Sequence, residues 1–443
     1  MNANFQSLGV DAALVSKLSE HGINEPSPVQ AESIPAILEG KDVIAQSQTG
    51  SGKTLAYLLP LLQNMDTDSR ATQKLILAPT QELAMQIVRE GQRYGEGLGI
   101  RVLGLIGGAA AKRQIEKLRE HPQLVVGTPG RVRELIALRK LKMHTVTTLV
   151  IDEVDQVFQL GGAADVQHIL RSTMRERQLV FLSATMNDDT RALSQQEMKN
   201  PVEVGIKPDQ KTAAGLEHLY FVTEEREKID TLRRLVRHYN PDRAIVFVNN
   251  TDDIGEVEAK MNHVGLNAAA LYGDADKVTR SRVLSQFRDG KIQLLVASDV
   301  AARGLDIEGL GCVINYDPAT DSEHYVHRAG RTGRMGRSGL VLSIVTDRET
   351  FIMRKFAREL NTDLQERTLF AGKVLEKQGG SGPRGPRSSK PRQVSKSGAG
   401  SARTSGNSRT GQGAGMQDRK RDKERDRKNK GAPKWLKDKQ SRD

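Results

Sequence analysis

Short apolar runs, each closed by a small or polar turn, recur from Val43 to Val345 and restrict the fold more than any other feature. Asp42–Ala45, Leu75–Ala78, Leu124–Val126, Leu149–Ile151 and Leu179–Leu182 form one series. Leu219–Val222, Ala244–Val248, Ala268–Leu271, Leu294–Ala297, Cys312–Asn315 and Val341–Val345 form a second. All read as buried strands. Helical spacing fills the intervals: Val10–His21, Gln30–Leu38, Glu82–Gly91, Ala111–Glu120 and Arg131–Leu138, then Glu224–Tyr239, Ile254–Val264, Lys277–Phe287 and Thr350–Leu360. Strands alternating with helices predict a parallel sheet covered on both faces, an α/β architecture. The polar stretch 207–215 has neither period and reads as a linker. Two tandem parallel-sheet lobes are therefore expected, over 1–206 and 216–372, with a tail over 373–443.

Charge separates the tail from the body. The 443 residues carry a formal net charge of +12, yet Lys377–Asp443 alone holds 20 Lys and Arg against 6 Asp and Glu. The remainder is near neutral. The tail is rich in Gly, Ser, Arg and Lys and holds almost no apolar residues, so it cannot bury enough surface to offset its ordering entropy and is expected to be disordered. One cysteine, Cys312, excludes an intrachain disulfide and suits a reducing compartment. No apolar run reaches membrane-spanning length and no secretion signal opens the chain, so a cytoplasmic, membrane-free protein is expected.

The first apolar run leads into Ala45-Gln46-Ser47-Gln48-Thr49-Gly50-Ser51-Gly52-Lys53-Thr54, and a helical pattern leads out. Gly50 and Gly52 let the backbone curl so that several N–H groups face one anion, at the positive end of the following helix. Lys53 supplies a full charge for outer phosphates, and the Thr54 hydroxyl can ligate magnesium. The alternative is a flexible glycine turn. Upstream, Pro26 and Pro28 fix an extended segment before Gln30. A carboxamide can pair bidentately with an adenine edge, or Gln30 is an ordinary surface residue.

Other polar clusters stand where strands end, the place at which such sheets bind ligands. Asp152-Glu153-Val154-Asp155 follows Leu149–Ile151: Asp152 can hold magnesium and Glu153 can polarise an attacking water, the alternative being a solvated acidic turn. Ser183-Ala184-Thr185 is either a turn or a relay that hydrogen-bonds to Asp155. In the second lobe, Ser298–Asp306 and then His327-Arg328-Ala329-Gly330-Arg331-Thr332-Gly333-Arg334 carry arginines among glycines. They form either a basic surface loop or an arginine finger aimed at a γ-phosphate.

From Phe5 to Glu359 this ordered set resembles the bacterial DEAD-box ATP-dependent RNA helicases, which have two RecA-like lobes. The resemblance rests on Gly22–Gln30, Ala45–Thr54, Pro79-Thr80-Gln81-Glu82-Leu83-Ala84, Gly107-Gly108, Thr128-Pro129-Gly130-Arg131, Asp152–Asp155, Ser183–Thr185, Val246–Asn250, Ser298–Asp306 and His327–Arg334. It implies ATP held by Gln30, Ser47, Gln48, Thr49, Gly50, Ser51, Gly52, Lys53, Thr54 and Asp306, and Mg2+ held at Thr54 and Asp152. Catalysis would fall to Lys53, Glu153, Arg331 and Arg334. Coupling would fall to Asp155, Ser183, Thr185 and His327, and RNA contact to Pro79, Thr80, Gln81, Gly108, Thr128, Arg131 and Arg303. The implied activity is an RNA-dependent ATPase that separates short duplexes or remodels RNA–protein particles by closing its lobes. The rival is a slowly turning ATP-gated RNA clamp. A monomer reading RNA without sequence preference is expected, with ribosomal precursor particles, RNA turnover or cold adaptation as its setting. Val154, Gln81, Ile23, Lys277 and Ser298 depart from the family's usual alanine, arginine, aromatic, glutamine and threonine, and the role of Phe5 is left open.

Overall fold

The computed structural model describes residues 4–47, 51–205, 215–302, 305, 307, 309–333, 338–370 and 373–376. The first sheet has seven strands: β1 (Val43–Gln46), β2 (Lys74–Leu77), β3 (Val102–Leu105), β4 (Leu124–Gly127), β5 (Thr148–Asp152), β6 (Gln178–Ser183) and β7 (Val202–Val204). Their order is β3-β4-β2-β5-β6-β1-β7, parallel throughout. The second sheet holds β8 (Leu216–Val222), β9 (Ala244–Phe247), β10 (Ala268–Leu271), β11 (Leu294–Ala297), β12 (Cys312–Asn315), β13 (Gly339–Val345), β14 (Leu364–Phe370) and β15 (Lys373–Glu376). Their order is β10-β11-β9-β12-β13-β8-β14-β15, and only the β14–β15 pair is antiparallel.

The apolar runs have a simple cause. Successive side chains of a strand face opposite sides, and here both sides are covered. Val43 and Ala45 join the core on one face of the first sheet while Ile44 joins the other; Ile76 and its neighbours Leu75 and Leu77 divide the same way. Burying each such side chain contributes about 1.5–3 kcal/mol.

Strand order divides the carboxyl edge of the first sheet into two stations. Adjacent strands β5, β6 and β1 end at Asp152, Ser183 and Gln46, so the acidic cluster, Ser183–Thr185 and the glycine loop meet there. Adjacent strands β3, β4 and β2 carry Gly107-Gly108, Thr128 and Pro79–Glu82 at their ends.

Four strands lie outside the expected set: β3, β7, β14 and β15. Gly104 interrupts β3, and a Cβ there would stand 3.0 Å from Met85 Sδ, so the helix packs closely where a strand-marking side chain is missing. The second sheet also runs past 372, where the tail was expected to begin: Lys373–Glu376 pairs with Arg367–Phe370. The tail from Lys377 and the linker, apart from Gly215, lie outside the described residues.

Candidate functional site

The glycine loop is tied into its surroundings at its root. Ser47 N donates to the Ser183 carbonyl at the end of β6 (3.0 Å), and Ser47 Oγ donates to Ser51 Oγ (2.5 Å). Lys53 opens helix Lys53–Gln63, is buried, and donates from Nζ to the Ser47 carbonyl at 2.5 Å. Gly52 has φ +89°, and a Cβ there would lie 2.5 Å from Gln30 Nε2. Gln30 is 4% exposed, which overturns the surface reading. Its Oε1 accepts from Ser27 N (2.9 Å), half of the capping box of helix Pro28–Leu38, and its Nε2 donates to the Gly52 carbonyl (3.0 Å). Gln48, Thr49 and Gly50 lie outside the described residues. Phe5 is buried in the first-lobe core and Ile23 packs against that core, so Phe5 is a packing residue in this conformation.

Asp152 and Glu153 end β5 almost without solvent contact. Burial raises the Asp152 carboxyl to about 6, against the opposing charge of Lys53. Its Oδ2 accepts from the Tyr57 hydroxyl at 2.8 Å. Glu153 sits in the left-handed region at φ +54°, ψ +56°, strained for a side chain with a Cβ, and its buried Oε2 has no hydrogen-bond partner among the described residues. Strain combined with an unsatisfied buried oxygen marks a group whose partner arrives with a ligand. These hard oxygens, with the hydroxyl of Thr54 on the same helix as Tyr57, fit a divalent cation such as Mg2+.

Asp155 is fully buried. Its Oδ2 accepts from Ala184 N (3.2 Å), Thr185 N (2.9 Å) and Thr185 Oγ1 (2.9 Å). Burial alone would raise its carboxyl, but the nearby His327, Lys53 and Thr185 outweigh that and hold it at about 2. His327 comes from the second lobe: its Nε2 lies 3.4 Å from Asp155 Oδ2, and its Nδ1 lies 2.6 Å from Gln156 Nε2. Thr185 Oγ1 also reaches Glu323 Oε1 at 2.6 Å. Ser183 Oγ donates to the Thr185 carbonyl (2.6 Å) and stays within its own turn.

Arg331 is buried and donates to the carbonyls of His327 (3.2 Å) and Leu305 (2.9 Å), both in its own lobe. Arg328, 1% exposed, grips Asp299 through Nε and Nη2 at 2.7 Å each, with Asn249 and Asn315 beside it. Those contacts make Arg328 the brace of the second lobe and set it apart from Arg331. Arg303, Asp306 and Arg334 lie outside the described residues.

The second station opens onto a cleft of about 390 Å³ shared by both lobes. Pro79, Thr80, Gln81 and Thr128 line one side, and Gly273, Arg280 and Val300 the other. Thr80 caps helix Gln81–Gly95 by accepting from Leu83 N (3.2 Å). Gly108 takes φ +62°. Arg131 donates from both Nη atoms to the Ala109 carbonyl (3.2 Å each) and pairs with Glu134, so it braces the turn that carries Gly107-Gly108. Arg280 Nε meets Glu82 Oε1 across the cleft at 2.5 Å.

Residues 27–193 match the family described as DEAD/DEAH box helicase, and residues 227–336 match the helicase conserved C-terminal domain. The DEAD-box ATP-dependent RNA helicase CshC of Bacillus cereus is 42% identical over 84% of this chain and 94% of its own length. The probable ATP-dependent RNA helicase YfmL of Bacillus subtilis is 40% identical over 80% of this chain and 94% of its own. The chain belongs to the DEAD-box ATP-dependent RNA helicases. Its fold superposes on S. cerevisiae Dbp5 bound to RNA and ADP BeF3 with a TM-score of 0.76, at 28% identity over 82% of this helicase and 95% of that chain.

Sequence reasoning missed four participants in this helicase: Tyr57, Gln156, Glu323 and the Glu82–Arg280 pair. Three had a readable signal. Glu323 lies four residues before His327, hence on the same helical face, and Gln156 directly follows the acidic cluster. Arg280 lies on the helix whose first residue, Lys277, had been singled out. Tyr57 sits in a helix apolar along most of its length, where nothing separates a hydroxyl at work from core packing.

Proposed function

We propose that the helicase hydrolyses ATP when ATP and RNA together draw its two lobes shut, and that closure locally separates short RNA duplexes. The observation that carries this is the convergence of both lobes on Asp155, which gathers donors from Ser183–Thr185 of its own lobe and stands beside His327 of the other. Lys53, Ser47, Ser51, Gly52 and the residues between them cradle the phosphates, and Gln30 reads the adenine while bonded to Gly52. Asp152 and Thr54 hold Mg2+, which neutralises phosphate charge when bound. Glu153, with its free buried oxygen, orients and deprotonates the attacking water. Arg331 would leave its carbonyl partners to meet the γ-phosphate, alongside Arg334, while Asp306 takes the ribose.

RNA lies over the second station and is read through its backbone by Pro79, Thr80, Gln81, Gly108, Thr128, Arg131 and Arg303, which implies little sequence preference. The basic tail adds non-specific affinity by counterion release. Ribosomal precursor particles and structured RNAs that persist in the cold are the proposed substrates, acted on by a monomer in the cytoplasm. Among the described residues no helix is long and apolar enough to cross a membrane.

The test is steady-state ATPase without nucleic acid, with single-stranded RNA and with matched DNA. Stimulation by RNA alone is expected, and Glu153→Gln should keep ATP binding while losing turnover. Equal stimulation by DNA, or normal turnover in Glu153→Gln, would contradict the reading.

A further inference from the structure

We propose that Glu323 is a positioning residue for closure: it takes the Thr185 hydroxyl across the cleft while His327 replaces that hydroxyl at Asp155. This rests on the closure reading above. A threonine hydroxyl has one hydrogen to donate. Two carboxylate oxygens compete for it, Asp155 Oδ2 at 2.9 Å and Glu323 Oε1 at 2.6 Å. Asp155 can release it without loss, because Ala184 N and Thr185 N still donate to the same oxygen. Among the described residues Glu323 Oε1 has no such backbone donor, and it gains the hydrogen.

His327 fills the place left at Asp155. Gln156 Nε2 is an amide donor, so His327 Nδ1, 2.6 Å away, accepts from it. The ring hydrogen then sits on Nε2, facing Asp155 Oδ2 at 3.4 Å. With the Gln156 amide turned over, Nδ1 would donate to Gln156 Oε1, and only a doubly protonated ring would still present a hydrogen to Asp155. A small further approach of the lobes makes the His327–Asp155 bond, so Asp155 keeps its number of hydrogen bonds, Glu323 gains one, and only the geometry depends on closure.

Helix Ser322–Ala329 enforces the register. Glu323 and His327 are four residues apart and share one face. Asp321 fixes the start of the helix by accepting from His324 N at 2.8 Å, and a carboxylate in the first turn suits the positive helix end. The ligand-type atoms of Asp155, Glu323 and His327 lie within 4.8 Å of one another. A slip of one residue along the helix would turn both prongs away by about 100°, so the register that aims one contact also aims the other.

The experiment compares Glu323→Ala, Glu323→Asp and Glu323→Gln, and places Glu323→Ala in a Thr185→Val background. Measured are kcat, the RNA concentration for half-maximal ATPase, RNA affinity without nucleotide, and ATP affinity without RNA. Glu323→Ala should raise the half-stimulating RNA concentration about tenfold, the loss of one hydrogen bond to a charged acceptor, with both binary affinities within about twofold of the parent. Glu323→Asp, which withdraws the acceptor by one methylene with little risk to folding, should do the same. Glu323→Gln keeps an Oε1 acceptor and should stay within about threefold. In Thr185→Val, Glu323→Ala should add less than about twofold. Parental behaviour of Glu323→Ala and Glu323→Asp, equal damage from Glu323→Gln, or full additivity with Thr185→Val would each overturn the proposal. Absence of RNA stimulation in the parent protein would instead overturn the closure reading.

Discussion

Gly52→Ala turns the geometry of the glycine loop into a number. At φ +89° an alanine pays left-handed strain of about 1–2 kcal/mol. Its Cβ would also stand 2.5 Å from Gln30 Nε2 and 3.2 Å from Ser27 Oγ. Gln30 can retreat only by giving up its bonds to the Gly52 carbonyl and to Ser27 N, each contributing about 1 kcal/mol. The loop that must receive the phosphates is therefore displaced at a total cost of roughly 3–4 kcal/mol, or about a hundredfold or more in ATP affinity. Titration of a fluorescent ATP analogue without RNA measures it directly. The same substitution in a Gln30→Ala background meets no amide and should cost only the strain, about tenfold. Binding within threefold of the parent, or the same loss in both backgrounds, would refute the reasoning that Gln30 and the loop are one packed unit.

Arg280→Ala and Glu82→Ala should each lower RNA-stimulated kcat/KM by about three- to tenfold, because their ion pair spans the cleft and is only partly exposed; the double variant should be no worse than either, and additive losses would show that the pair is not coupled. His218 is buried beside Tyr325, and burial lowers its imidazole from the usual value to about 4. Between pH 6.5 and about 4 the unfolded chain binds the proton that the folded lobe refuses, so stability is full above that window and falls through it, by about 2 kcal/mol at pH 5. Urea unfolding at pH 7.5 and pH 5 should show that extra loss in the parent and not in His218→Gln; equal losses would contradict the assignment.

Much of the fold is legible in the sequence because parallel strands buried on both faces must be continuous apolar runs. Leu75–Leu77 and Leu149–Ile151 declare themselves for that reason. Strands near the margin of a sheet carry no such obligation: β14, next to the edge strand β15, reads Leu-Gln-Glu-Arg-Thr-Leu-Phe, is half-buried along most of its length and looks polar. The site is legible where chemistry demands rare combinations, as at Lys53-Thr54 and Asp152-Glu153. It is illegible where a common residue acquires a task from tertiary position. Gln30 illustrates the boundary, since it reads locally as a surface residue or an adenine partner, and only the fold shows its amide against Gly52. Tyr57 is another case, an ordinary core aromatic until its hydroxyl meets Asp152.

The central claim is closure on joint binding, and distance reports it directly. Cys312 is buried in β12, and burial pushes its thiol up to about 12, so it can remain while dyes are placed on exposed Ala137→Cys and Ser285→Cys, one in each lobe. Energy transfer between the dyes should rise only when an ATP analogue and RNA are both present, and should stay at the free-protein value with either alone. A full rise with ATP analogue alone or with RNA alone, or no change with both, would contradict the account.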